Sequence, residues 1–140
     1  MNQIKLELPE NFSFSAIIPI RITDINYGGH VGNDTVLTIF HEARMQFLNH
    51  YGFSEMNFGG VALIMRNVAI EFKKEIFYGD TVKVYVTLVN FSKVGFDVFY
   101  KMVKGNEETI VAIAKTGMIC YNYELKKIVS VPDGIQPKFS

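Results

Sequence analysis

Apolar residues recur at every second position from Phe12 to Ile22, with Phe12, Phe14, Ala16, Ile18, Ile20 and Ile22 on one face. That period predicts a half-buried strand, and Pro19 within it, having no N–H to give a ladder, predicts a sheet edge or a bulge. From about Asn33 to Tyr51 the period becomes helical. Val36, Phe40, Ala43, Phe47 and Tyr51 form one stripe, thickened by Leu37, Arg44 and Leu48. Asn33 is expected to cap this helix, Asp34 suits the positive end of its dipole, and Gly52 ends it. The helix should be about 27 Å long at 1.5 Å per residue.

After Gly60 the period returns to two. Val61 to Phe72 predicts one strand, and a Tyr78-Gly79-Asp80 turn leads to a second with Val82, Val84, Val86 and Leu88 on one side. Phe96, Val98, Tyr100 and Met102 mark a third, and Thr109 to about Tyr123 a fourth after the turn at Lys104-Gly105-Asn106-Glu107. Short connections imply antiparallel hairpins, so the expected class is α+β: one strand, one long helix, then an antiparallel meander curled around that helix. No linker or repeat divides the chain. Residues 1–140 read as a single domain with a core over about 12–123 and a short extension over 124–140.

Composition narrows the possible functions. The 140 residues are 49% hydrophobic and 14% aromatic, an ample apolar supply for so small a domain. Part of it is expected to be covered by another subunit. Fourteen basic residues balance fourteen acidic ones without a basic stripe, which argues against a nucleic-acid partner. Apolar runs such as Val61 to Met65 are too short to span a membrane, and Met1 to Glu10 lacks the apolar core of a signal peptide. Cys120 is the one cysteine, so no internal disulfide forms, and it is expected to pack as a small buried hydrophobe. The expected location is the cytoplasm.

Most standard catalytic devices are missing. There is no Gly-x-Ser-x-Gly elbow, phosphate-cradling loop or dinucleotide fingerprint. His30, His41 and His50 lack metal-ligand spacing, so neither a metal nor a cofactor is expected. What remains is the glycine-rich segment from Asp24 to Asp34 that leads into the helix. Thioester hydrolysis needs a base or nucleophile, a held water, and positive polarity where the carbonyl oxygen gains charge. Asp24 offers a carboxylate, Asn26 an amide to orient water or substrate, and His30 an imidazole. The backbone around Gly29, Val31, Gly32 and Asn33 offers N–H groups at the positive end of the helix dipole. Each residue also has an ordinary use: Asp24 and Asn26 form turns, the glycines free the backbone, Asn33 and Asp34 cap, and His41 and His50 face solvent. Glu42 is a second acidic candidate, opposite the apolar stripe on the helical wheel.

The pattern Arg21-x-x-Asp24-x-Asn26-x-x-Gly29-His30-Val31-x-Asn33, followed by Glu42-Ala43-Arg44 and Phe47-Leu48, resembles the hotdog-fold thioesterase superfamily, in particular its 4-hydroxybenzoyl-CoA and acyl-CoA thioesterase branch. Tyr78-Gly79-Asp80 matches the family's usual Gly-Asp turn. The resemblance covers about Phe12 to Tyr123 and implies a hotdog fold, a curled antiparallel sheet wrapped around one long central helix. It further implies hydrolysis of an acyl-CoA or related thioester, and a homodimer or homotetramer with the site between protomers. Some relatives carry the catalytic carboxylate on the central helix, where Glu42 stands. The sequence departs from the branch at Asn26, where a catalytic Asp is usual, at Gly32, often Asn, and at Val36, often Tyr. Asp24-x-Asn26 with His30 also resembles the acyl-carrier-protein thioesterases of plants and, less closely, the hotdog enoyl-thioester hydratases. A non-catalytic acyl-thioester binding module is the third reading, favoured by Asn26. Met65, Phe72, Phe96 and Met118 suit an apolar tail or a plain core.

Overall fold

The computed structural model describes residues 5–139. Strand β1 is Phe14–Pro19, followed by a short 3-10 turn at Ile22–Asp24 and the helix α1 at Asn33–His50. Four long strands come next: β2 at Ala62–Phe72, β3 at Thr81–Val89, β4 at Gly95–Lys104 and β5 at Thr109–Asn122. A two-residue β6 at Lys127–Ile128 and a 3-10 turn at Gln136–Phe139 complete the chain. All pairings are antiparallel, and the order across the sheet is β1-β3-β4-β5-β2, with β6 beside β5. One helix against this six-stranded curled sheet is the hotdog architecture that the sequence resemblance implied.

The helical stripe behaves as its period dictates. Val36, Ile39, Phe40, Ala43, Phe47 and Leu48 are buried, facing Val82, Val84 and Val86 of β3 and Val98, Tyr100 and Met102 of β4. Burying each of the large side chains stabilises the fold by about 2 kcal/mol. Gly52, with φ of +83°, ends the helix in the left-handed conformation that glycine adopts without a steric penalty. Pro19 closes β1 at an outer edge of the sheet, where its missing N–H interrupts no ladder.

The sequence reading needs correction in two places. Asn33 is not the cap but the first helical residue, and the capping position falls to Gly32, which has no side chain to offer. The expected β2–β3 hairpin is also absent. The Tyr78–Asp80 segment turns as expected, with Gly79 at φ +92°, but β2 pairs with β5 at the far edge. The chain crosses from β2 to β3 through residues 73–80, held by the N–H groups of Lys73 and Lys74 on the Val111 carbonyl. Val111 can accept both because it is the extra residue of a bulge in β5 between the Met102–Ala112 and Val103–Ile110 pairs.

A second bulge sits in β2. Met65 pairs with Met118 and Asn67 with Gly117, leaving Arg66 unpaired, and the Asn67 Oδ1 accepts the Gly117 N–H at 3.1 Å. The stretch after Tyr123 packs as well: Ile135 is buried, and Phe139 lies against Phe47, Tyr51, Phe53 and Phe58. Among the described residues no helix is long and apolar enough to cross a membrane.

Candidate functional site

The segment between β1 and α1 is held by its own polar atoms. Asp24 is nearly buried; its Oδ2 accepts the Arg21 N–H at 2.8 Å and its Oδ1 lies 3.5 Å from Arg21 Nη2. Beyond it the chain doubles back. Asn26 N–H donates to the His30 carbonyl at 3.0 Å, Gly29 N–H donates to the Asn26 carbonyl at 3.1 Å, and Gly28 N–H donates to Asn26 Oδ1 at 2.9 Å. Gly29 has φ of +86°, which a side-chain-bearing residue adopts only with strain. Val31 N–H donates to the Ile76 carbonyl at 2.8 Å and His30 pairs with Phe77, so the crossing segment anchors the loop from outside.

Gly32 then opens the helix. A Cβ there would lie 2.8 Å from Asp34 Oδ1 and 3.4 Å from Asn26 Nδ2, so glycine lets both side chains close over the helix start. Among the described residues no side chain caps the first turn, and its N–H groups have no acceptor within the helix.

The predicted residues divide between two clefts. One, of about 450 Å³, is lined by His30, Val31, Asn33, Val36, Lys73 and Lys74, among others. It brings His30, the uncapped helix start, Lys73, Lys74 and Glu75 to one space, and Lys73 Nζ lies 3.9 Å from Glu71 Oε2. The His30 ring makes no hydrogen bond among the described residues. The other cleft, of about 270 Å³, holds Asp24 with Arg21, Thr38, Glu42 and Gln46. Glu42 is exposed and accepts from Gln46 Nε2 at 2.6 Å, one helical turn on. So the structure joins Asp24 to Glu42 and His30 to Asn33, while Asn26 Oδ1 and His30 Nδ1 flank Gly28, 3.1 and 3.6 Å from where a Cβ there would stand. Asn26 is exposed and lines neither cleft.

One polar cluster escaped the sequence reading. Arg44, which thickens the helical stripe, is buried; its Nη1 donates to Tyr100 Oη at 3.0 Å and its Nη2 to Glu55 Oε2 at 3.4 Å. Tyr100 Oη also bonds Thr116 Oγ1 at 2.8 Å, and Glu55 Oε1 bonds His41 Nε2 at 2.6 Å. Burial raises the Tyr100 hydroxyl above the ordinary tyrosine range, with the Arg44 charge opposing. The signal was present in the sequence: a cation thickening an otherwise apolar stripe has to find partners inside. Among the described residues no group of His, Cys, Asp or Glu is arranged to hold a metal ion.

Residues 20–139 match the sequence profile of the thioesterase-like superfamily. A candidate esterase from Aquifex aeolicus is 32% identical over 106 residues, covering 74% of this chain and 80% of that protein. A 1,4-dihydroxy-2-naphthoyl-CoA hydrolase from Microcystis aeruginosa is 28% identical over 120 residues, covering 84% of this chain and 86% of its own. In three dimensions, a 1,4-dihydroxy-2-naphthoyl-CoA thioesterase from Synechocystis shares the fold with a TM-score of 0.81, at 23% identity over 90% of this chain and 94% of that one. With one long helix in a curled antiparallel sheet and a profile match over nearly its whole length, this chain belongs to the thioesterase-like superfamily.

Proposed function

We propose that this protein hydrolyses acyl thioesters, with coenzyme A thioesters as its substrates. The observation that carries the reading is the cleft where the imidazole of His30 and the uncapped start of α1 line one space. In that cleft a water oxygen adds to the thioester carbonyl carbon as His30 accepts the water's proton. The developing oxyanion lies against the N–H groups at Gly32 and Asn33, where the helix dipole favours negative charge. The C–S bond then breaks, and the departing thiolate takes the proton from His30. The products are the carboxylic acid and the free thiol.

The other residues of the segment act through its shape. Asp24 ties down the turn at Arg21, and Asn26 holds the loop that carries His30. Gly29 and Val31 set its bend and its anchor. Lys73 and Lys74 at the cleft's rim suit the phosphates of the carrier. A homodimer or homotetramer belongs to the same reading, since β2 lies at a sheet edge whose unpaired backbone groups can extend the sheet into a second copy. So does a cytoplasmic location, where the lone cysteine stays reduced.

The Asp24–Glu42 cleft supports a second reading, with Glu42 as the base and Arg21 as the countercharge. Thiol release from a panel of acyl-CoAs separates the two. We expect His30→Ala to lower kcat/KM by about 10²- to 10⁴-fold and Glu42→Gln to change it by less than about threefold. The reverse pattern assigns the base to Glu42. If folded protein releases no thiol from any substrate, hydrolysis is wrong. Loss of enoyl absorbance then identifies a hydratase, and tight binding without turnover a binding module.

A further inference from the structure

The His30 cleft and a second, separate cleft succeed one another along the flank of α1, marking out the line of a groove. Val36 lines the first cleft and Phe40, one turn on, lines the next; Phe72 lines the first and Val68, on the same face of β2, the next. This second cleft, of about 420 Å³, has apolar walls that include Leu37, Met65 and Val68, and ends at the Arg44 cluster. Its volume lies within the range of small-ligand sites. From Asn33 to Arg44 the helix advances about 16 Å.

Arg44 is an expensive way to fasten a helix to a sheet. It is 95% buried by its 5% exposure, and its Nε–H has no acceptor among the described residues. A buried donor without a partner costs about 1–3 kcal/mol, which a ligand oxygen would offset. The charge of Arg44 faces that of Glu55, and Glu55 is shared with His41. With the guanidinium already balanced by a carboxylate, the groove favours a neutral oxygen over a second anion.

We propose that this groove is the acyl site and that Arg44 determines specificity. The acyl group runs from the helix start between α1 and β2, apolar along its length, and ends in a hydroxyl or keto oxygen that meets the Arg44–Tyr100 pair. The proposal rests on the thioester reading above and names its substrate class: long acyl groups oxygenated at the end remote from the thioester.

The test compares coenzyme A thioesters of straight-chain acids of about twelve to fourteen carbons, a length that spans the groove at roughly 1.3 Å of advance per zigzag bond, with and without a terminal hydroxyl. Wild-type protein is expected to favour the hydroxylated member in kcat/KM by about tenfold to a hundredfold, the range for a hydrogen bond to a charged group. In Arg44→Met and Tyr100→Phe that ratio falls toward one. The ratio within each variant cancels any general loss of activity, and a folded Tyr100→Phe decides the matter if Arg44→Met does not fold. A wild-type ratio near one, or a preference that persists in the folded variants, overturns the proposal. Calorimetric binding of the matching non-hydrolysable thioethers keeps the two ideas apart. A binding preference lost in the variants without any thiol release retains the groove and rejects hydrolysis, whereas turnover without preference does the opposite.

Discussion

Burial pushes the thiol of Cys120 up from 9.0 to about 11, because desolvation penalises the thiolate. The side chain lies inside the core cluster on β5, as expected for the lone cysteine of this chain. A native value above the unfolded one means that the folded protein keeps the proton longer. Its contribution to stability is therefore complete below pH 9.0 and is lost as pH rises from there to about 11. Iodoacetamide at pH 8 should leave Cys120 unlabelled in the native protein and label it at once in denaturant. Rapid native labelling would show that the site is open. Arg44 is the contrasting case: the sequence displays its position in the stripe, but its partners Glu55, in the loop after α1, and Tyr100 on β4, which in turn bonds Thr116 on β5, have no local signature. Gly32 is legible as a place for open backbone, whereas the closure of Asn26 and Asp34 over it depends on how the loop folds back.

At the scale of elements, periodicity found the helix within one residue at its end and located the long strands, because burial of one face imposes the repeat. It did not find which strand pairs with which. Alternation marks a strand as half-buried whatever its neighbour, and the turn signal that suggests β2 beside β3 ends a crossing instead. The division of the loop residues between two clefts was hidden for the same reason: it depends on the crossing segment packing against His30 and Val31. The 3-10 turn at Gln136–Phe139 was equally silent, since four residues carry no period. Its Phe139 ring lies within 5.7 Å of Phe47 and 4.8 Å of Tyr51, centroid to centroid. Phe139→Ala should lower stability by about 2–3 kcal/mol, seen as a lower urea midpoint with an unchanged slope. A shift of less than about 0.5 kcal/mol would mean that the turn is not fastened to the helix in solution.

Across the whole molecule, the strand order has a consequence for the time the protein takes to reach its native state. Strands β3, β4 and β5 neighbour one another in sequence and pair through short turns, so loop closure costs them little. The outer strands are different: Phe14 has to find Val86, and Ala62 has to find Tyr121, across about half of the chain. Such separated partners place folding in the slow range of small domains, on the order of milliseconds to seconds. Truncations in the central hairpins, such as Val98→Ala, should slow refolding, while Ile18→Ala in β1 should mainly hasten unfolding, as read from the two arms of a chevron plot. The reverse assignment would mean that the helix and first strand form the nucleus. Until the outer strands arrive, β3 and β5 each present an unpaired edge, and β3 among them bears the apolar row from Val82 to Leu88. Refolding yield should therefore fall with protein concentration, because in that interval another chain competes for the same edge.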